Sequence, residues 1–151
     1  MSIPNIQFGE PAQGWMEVHL DGWEWQVVSD VPCDSIRHLI EALLRLLHGS
    51  TLECIDWFLE PDYAQWLFRQ DGNQLSFFVK DDSRVEPVLC ASNTAPKLIA
   101  SFVDALAELE AFEFWKGDED EHRVWSWPFP ATELQQVRLT LADRRRCHGW
   151  Q

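Results

Sequence analysis

Three stretches in the middle of the chain decide the fold: Glu53-Cys-Ile-Asp-Trp-Phe-Leu59, Ala64-Gln-Trp-Leu-Phe-Arg69 and Gln74-Leu-Ser-Phe-Phe-Val-Lys80. Each is rich in apolar and aromatic residues, which favour β-strands. Turn-forming residues separate them, first Glu60-Pro61-Asp62 and then Asp71-Gly72-Asn73. Connections this short join antiparallel neighbours, so the three stretches predict adjacent antiparallel strands.

Further strands are predicted on either side of this block. Trp15-Met-Glu-Val-His-Leu20 and Trp23-Glu-Trp-Gln-Val-Val28 are separated by Asp21-Gly22, a two-residue signal for a β-hairpin with a type I′ turn. Alternation along the second of these strands would put Trp23, Trp25 and Val27 on one face. Glu86-Pro-Val-Leu-Cys-Ala91 predicts an edge strand, because Pro87 cannot donate a hydrogen bond to a neighbour.

Helical signals occupy the remaining segments. Asp34 precedes apolar residues at helical spacing up to Leu47, and Gly49 marks the end of that helix. A second helix is predicted after Thr94, with Thr94 as its N-cap and Pro96 in its first turn. Thr132 and Gln135 form a capping box for a third helix through Leu141.

The order of these elements predicts one α+β domain over residues 1–151. Strands that follow one another through short turns form an antiparallel sheet, here of about five to six strands. Such a sheet buries one face, so we expect two to three helices packed on that face. A length of 151 residues is typical of one domain with a single core.

The charge of the chain restricts its partners. Twelve basic residues against 25 acidic ones give a net charge of −13. The first 130 residues hold eight basic and 23 acidic residues, a net charge of −15, whereas residues 131–151 carry +2. An acidic chain repels nucleic-acid phosphates and anionic lipids. We therefore expect neither nucleic acid nor membrane as a partner, and a basic protein instead.

The termini and cysteines indicate the compartment. The first 15 residues contain neither a basic region nor an apolar run, so no secretory signal or anchor is predicted, and a cytoplasmic location follows. The four cysteines are far apart in sequence, which predicts free thiols rather than disulfides. No second ligand pair accompanies Cys147-His148, so we expect no metal site.

Local signatures of catalysis are not found in the sequence. There is no G-x-S-x-G segment for a nucleophile, and the seven glycines form neither a P-loop nor a dinucleotide-binding turn. We therefore predict a protein that is not an enzyme and that needs no cofactor.

One segment combines acidic residues with aromatic ones. The run Asp118, Glu119, Asp120 and Glu121 lies between Trp115 on one side and Trp125 and Trp127 on the other. Acidic side chains accelerate encounter with a basic partner, and Trp is common among residues that dominate binding energy. These seven residues are the predicted partner-binding site.

In its size, acidity, hairpin-first order and acidic segment between aromatics, the chain resembles the small acidic immunity proteins that bacteria make against secreted toxins. The resemblance implies a non-enzymatic inhibitor whose Asp118 to Glu121 run occupies a toxin's basic cleft. An alternative is a domain that binds a small ligand in a pocket lined by Trp23, Trp25, Trp57 and Trp66. A purely structural or interaction role is the remaining alternative, and the oligomeric state stays open.

Overall fold

A computed structural model describes residues 5–12, 14–20, 26–30, 33–59, 62–81, 85–112, 125 and 127–148, with side chains described as far as residue 144. It contains seven strands: β1 (Ile6–Phe8), β2 (Trp15–Leu20), β3 (Gln26–Ser29), β4 (Leu52–Phe58), β5 (Tyr63–Asp71), β6 (Gln74–Asp81) and β7 (Val88–Thr94). The helices are α1 (Ser35–Leu47), α2 (Ala95–Glu110) and α3 (Ala131–His148).

The strands form one antiparallel sheet in which each strand pairs with the next along the chain, from β1 to β7. The predicted α+β class and antiparallel sheet are confirmed. The predicted strand count is one too low, because β1 has only three residues and follows a segment without strand signals. It pairs with β2, with Ile6 opposite Leu20 and Phe8 opposite Val18.

The register of β2 and β3 differs from the one that the sequence predicts. A two-residue turn at Asp21-Gly22 without a bulge would place Trp15 opposite Val28. The structure places Trp15 opposite Ser29 and Met16 opposite Val28. The predicted turn itself lies outside the described residues. A shift of one residue exchanges the faces of a strand, and here it gives a buried Val28 and an exposed Val27.

Strands β4, β5 and β6 lie where the sequence predicts strands, and their side chains alternate between the two faces of the sheet. The inner face carries large apolar side chains that are almost completely buried, namely Ile55, Trp57, Trp66, Phe68, Leu75, Phe77 and Val79. The residues between them point to the opposite side, which we call the open face. A face that packs against helices and a face that does not are typical of an antiparallel sheet.

Helix α1 begins and ends where the sequence predicts. Asp34 is its N-cap, and the Asp34 side chain accepts a hydrogen bond from the backbone N–H of Arg37. The helix packs against β4 with its buried stripe, and the hydroxyl of Ser35 donates to the backbone carbonyl of Asp56. This bond ties the first turn of α1 to β4.

The second and third helices depart from their predicted caps. Thr94 precedes α2, but its side chain makes no capping hydrogen bond; Asn93 Oδ1 accepts from the backbone N–H of Thr94 instead. Helix α3 begins at Ala131 and runs to His148, seven residues beyond the predicted end at Leu141. No helix in the described part of the chain is long and apolar enough to cross a membrane.

A cluster of aromatic rings forms the centre of the core. The ring centroids of Trp57 and Trp66 are 4.9 Å apart, and Phe77 and Phe102 lie 5.1 Å apart at an interplanar angle of 81°. Phe8 from β1 also reaches Trp66, at 6.3 Å. Helix α2 contacts β1 as well as β6 and β7, so the sheet curves until its first and last strands meet the same helix.

Candidate functional site

The segment that follows the acidic run is attached to the loop between β3 and α1. Trp127 Nε1 donates a hydrogen bond to the backbone carbonyl of Asp30 at 2.9 Å. Trp125 is buried, whereas Trp127 is 40% exposed. The two residues therefore have different environments, because Trp125 packs into the core and Trp127 is partly exposed.

Trp125 lies close to the buried carboxylate of Asp34. Burial raises the pKa of Asp34, while the backbone N–H and the charge of Arg37, and then the Trp125 indole, act in the opposite direction. Neither Trp125 Nε1 nor Asp34 Oδ2 completes a hydrogen bond with any described residue. Arg37 Nε lies 3.9 Å from Asp34 Oδ2, so the charge of Arg37 is the nearest compensation for this buried oxygen.

Three further aromatic residues lie at this end of the sheet. Trp15 is opposite Ser29, Ser29 is opposite Phe58, and Phe58 is opposite Tyr63, so the four residues form one row across β2 to β5. Trp15 and Tyr63 are 37% and 41% exposed, and Phe58 is partly buried. Large aromatic side chains exposed together on a sheet are typical of a binding surface.

Trp127 joins this row through the backbone. The N–H of Asp30 donates to the carbonyl of Gly14, the residue before Trp15, and the carbonyl of Asp30 accepts from Trp127. Asp30 thereby connects the two tryptophans at one end of the sheet. We call the four residues Trp15, Phe58, Tyr63 and Trp127 the aromatic end.

Ion pairs hold α3, which follows the aromatic segment, against the other helices. Arg37 Nη1 lies 2.7 Å from Glu133 Oε1, and Arg138 Nη2 lies 3.7 Å from Glu110 Oε1. The bond to Glu133 raises the pKa of Arg37. The pKa of Glu133 is lowered by its own backbone N–H at the start of α3 and then by Arg37. Both partners are partly exposed, so they orient α3 more than they stabilise it.

A cysteine and a histidine also lie near the start of α1. Cys33 Sγ is 3.9 Å from His38 Nδ1, a pairing that in other proteins can generate a nucleophilic thiolate. Here burial raises the pKa of Cys33, and the charges of Asp56 and Asp34 raise it further. The environment therefore favours the neutral thiol. Among the described residues, no three His, Cys, Asp or Glu side chains are grouped so as to hold a metal ion.

The structure describes four of the eleven residues that the sequence predicts as sites. Of the partner-binding set, Trp125 and Trp127 are described as above, and Trp115, Asp118, Glu119, Asp120 and Glu121 lie outside the described residues. Of the pocket-lining set, Trp57 and Trp66 are at most 2% exposed and belong to the aromatic core, while Trp23 and Trp25 lie outside the described residues. Trp57 and Trp66 therefore fill space that a ligand pocket would need.

Three residues of the aromatic end, Trp15, Phe58 and Tyr63, are not among the sequence candidates. Trp15 and Phe58 fall within predicted strands, and Tyr63 lies between the predicted turn at Glu60-Pro61-Asp62 and the strand predicted from Ala64. Their exposure follows from the register of β2 with β3 and of β4 with β5. The only signal in the sequence is their position beside a turn. Each is also next to an apolar residue, and alternation along the strand assigns that neighbour to the buried face.

Comparison with models of protein families, with curated protein sequences and with solved structures gives no match. The function of this chain is therefore inferred from its own geometry and charge.

Proposed function

We propose that this chain is a non-enzymatic binding protein for a basic protein partner, in the manner of a toxin-neutralising immunity protein. The observation that carries the proposal is the aromatic end, where Trp15, Tyr63 and Trp127 are exposed, and Trp127 follows the acidic run closely in sequence. Exposed aromatics with adjacent acidic residues suit a surface rich in Arg and Lys, because these cations stack on aromatic rings.

The charges near the aromatic end support a basic partner. Glu17 lies two residues from Trp15 on the same face of β2, and Asp62 precedes Tyr63; both are exposed. The sequence adds four consecutive acidic residues, Asp118 to Glu121, a few positions before Trp125. Acidic groups around aromatic anchors would attract a basic surface from a distance and bind it by contact.

The first test is recovery of the partner. The chain is affinity-tagged and expressed in its native host, or co-expressed with the products of neighbouring genes, and bound material is analysed by mass spectrometry and light scattering. We expect one basic protein in a fixed ratio to this chain. If that partner is toxic, expression of this chain should restore growth. Recovery of a small metabolite in place of a protein would contradict the proposal.

A variant pair shows whether recovery depends on the aromatic end. Trp15→Ala combined with Tyr63→Ala removes two exposed rings and should lower the affinity for the recovered partner by tenfold or more, about 1.4 kcal/mol. Leu139→Ala is the matched control, because Leu139 is an exposed apolar residue on α3. An equal loss in both variants would mean that the aromatic end is not the binding surface.

A further inference from the structure

A second part of the open face, away from the aromatic end, contains an apolar cleft. Cys54, Leu67, Phe78 and Leu89 form a row across β4 to β7. This row lies four residues along β4 from the row of Phe58 and Tyr63, about 13 Å at the usual rise of a strand. The two surfaces are therefore separate.

A β-bulge positions the last member of this row. Phe77 is opposite Ala91 but Phe78 is opposite Leu89, so Cys90 is the additional residue on β7. Bulges redirect side chains, and this one brings Leu89 to the open face, where it is 41% exposed. An antiparallel sheet normally presents polar residues on its solvated face, so an apolar row at this position requires an explanation.

The cleft beside the row has walls of different chemistry. Leu52, Leu67, Phe78 and Pro87 supply apolar surface, Arg69 and Glu86 supply charge, and the cleft, which is open to solvent, has a volume of about 410 Å³. That volume is in the usual range for sites that bind small molecules. Pro87, which precedes β7, forms a wall that the flat sheet alone would not provide.

Arg69 packs on an aromatic ring at the cleft. Its guanidinium carbon lies 5.5 Å from the centroid of the Phe78 ring, and no described carboxylate forms an ion pair with it. A cation packed on a ring keeps most of its hydrogen-bond donors available. Glu86 also lines the cleft and adds negative charge there.

We infer that this cleft binds a small amphipathic carboxylate, with the apolar body of the ligand against Leu67 and Phe78 and its carboxylate at Arg69. The carboxylate is the complement of a guanidinium that pairs with no described carboxylate, because a guanidinium binds a carboxylate through two parallel hydrogen bonds. The apolar row is the complement of an aryl or alkyl chain. The site is independent of the proposed protein partner.

The test uses phenylbutyrate and its neutral analogue phenylbutyramide as probes. Each is titrated into nitrogen-labelled protein while backbone amide chemical shifts are recorded. We expect saturable shifts at Leu67, Arg69 and Phe78, and about tenfold tighter binding of the acid than of the amide. Equal affinity for acid and amide, shifts at other surfaces, or shifts that do not saturate would each overturn the inference.

Three variants make the test specific. Arg69→Met keeps the side-chain stem over Phe78 but removes the charge, so the acid should lose its tenfold advantage over the amide. Lys97→Met removes an exposed cation from α2 and should leave the advantage unchanged. Glu86→Gln removes the opposing charge and should tighten binding of the acid only. If Arg69→Met and Lys97→Met affect the acid equally, general charge attraction accounts for binding and the site is wrong.

Discussion

The two faces of the same sheet use aromatic residues in opposite ways. On the inner face Trp57 and Trp66 are at most 2% exposed and pack ring against ring, whereas on the open face Trp15 and Tyr63 remain 37% and 41% exposed. The same residue types stabilise the fold on one side and present contact surface on the other. Of the five described tryptophans, Trp57, Trp66 and Trp125 are buried, whereas Trp15 and Trp127 are partly exposed.

The difference between the faces arises from what covers them. Helices α1 and α2 contact the strands from the inner side, and α3 packs against both of these helices. On the open face the rows alternate between aromatic, polar and apolar residues, and the polar row is held by a hydrogen bond of 2.9 Å from Gln65 to Asp56. Substitutions on this face should therefore disturb the core less than substitutions on the inner face.

The largest expected effect separates the two faces by stability. Trp66→Ala should lower the free energy of unfolding by about 3–5 kcal/mol, because it removes the ring that contacts Trp57, Phe77 and Phe102. Tyr63→Ala, one ring on the open face, should cost only about 1 kcal/mol. Urea unfolding of both variants measures the difference. Similar losses would mean that the open face also belongs to the core.

A smaller effect is expected at the turn that supports Trp15. Gly14 has φ 83°, and a Cβ atom there would lie 3.1 Å from Asp30 Oδ1. Gly72 has φ 58° with no atom within 4 Å of such a Cβ, which makes it a matched control. Gly72→Ala should cost about 1 kcal/mol for the left-handed conformation alone. Gly14→Ala should cost about 2–3 kcal/mol, because Asp30 must also move.

The Gly14 variant also has a structural readout. Movement of Asp30 should disturb the hydrogen bond from Trp127 and change the indole N–H resonance of Trp127 in an NMR spectrum. Gly72→Ala should leave that resonance in place. Equal destabilisation by the two variants, with the resonance unchanged, would show that Asp30 does not connect Trp127 to Trp15.

The smallest stability effect concerns the pH dependence at Asp34. The pKa of Asp34 is raised in the folded protein, chiefly by burial, so the folded state binds the proton more tightly than the unfolded chain. Stability should therefore fall as the pH rises from the ordinary carboxyl pKa through the raised one. Asp34→Asn can still accept the capping bond and should abolish this fall, giving a protein at least as stable at neutral pH.

Two comparison variants isolate that effect. Asp34→Ala loses the cap and should be less stable than Asp34→Asn by about 1 kcal/mol. Asp104→Asn changes an exposed carboxylate on α2 and serves as the control. Thermal unfolding across a pH series measures all three. If Asp34→Asn retains the wild-type pH dependence, a different group is responsible for it.

Much of the fold could be predicted because its signals are local. The strands β4, β5 and β6 follow from alternation between Gly- and Pro-containing turns, and α1 follows from Asp34 and the spacing of its apolar residues. Strand β1 could not be predicted in this way, because three residues carry too little pattern and Ile6 to Phe8 is specified by pairing with β2. The register of β2 and β3 likewise depends on contacts beyond the turn.

The candidate site was predicted only in part because its contacts are distant in sequence. Trp125 and Trp127 are two residues apart and look equivalent in the sequence, yet one is buried and the other is half-exposed. What distinguishes them is Asp30, which accepts from Trp127 across 97 positions, and Asp34, which lies beside Trp125. The pairing register of the sheet brings Trp15 and Tyr63 to the same surface, and no short motif encodes that register.

The central claim is that the acidic segment and the aromatic end bind a basic protein together. Its most direct test is the association rate of the recovered partner across a salt series, for wild type and for the variant with Asp118→Asn, Glu119→Gln, Asp120→Asn and Glu121→Gln. Steering by charge is screened beyond about 8 Å at physiological salt. Wild-type association should slow steeply with salt, and the variant should associate more slowly and respond less. An unchanged association rate in the variant, or wild-type binding that is indifferent to salt, would contradict the claim.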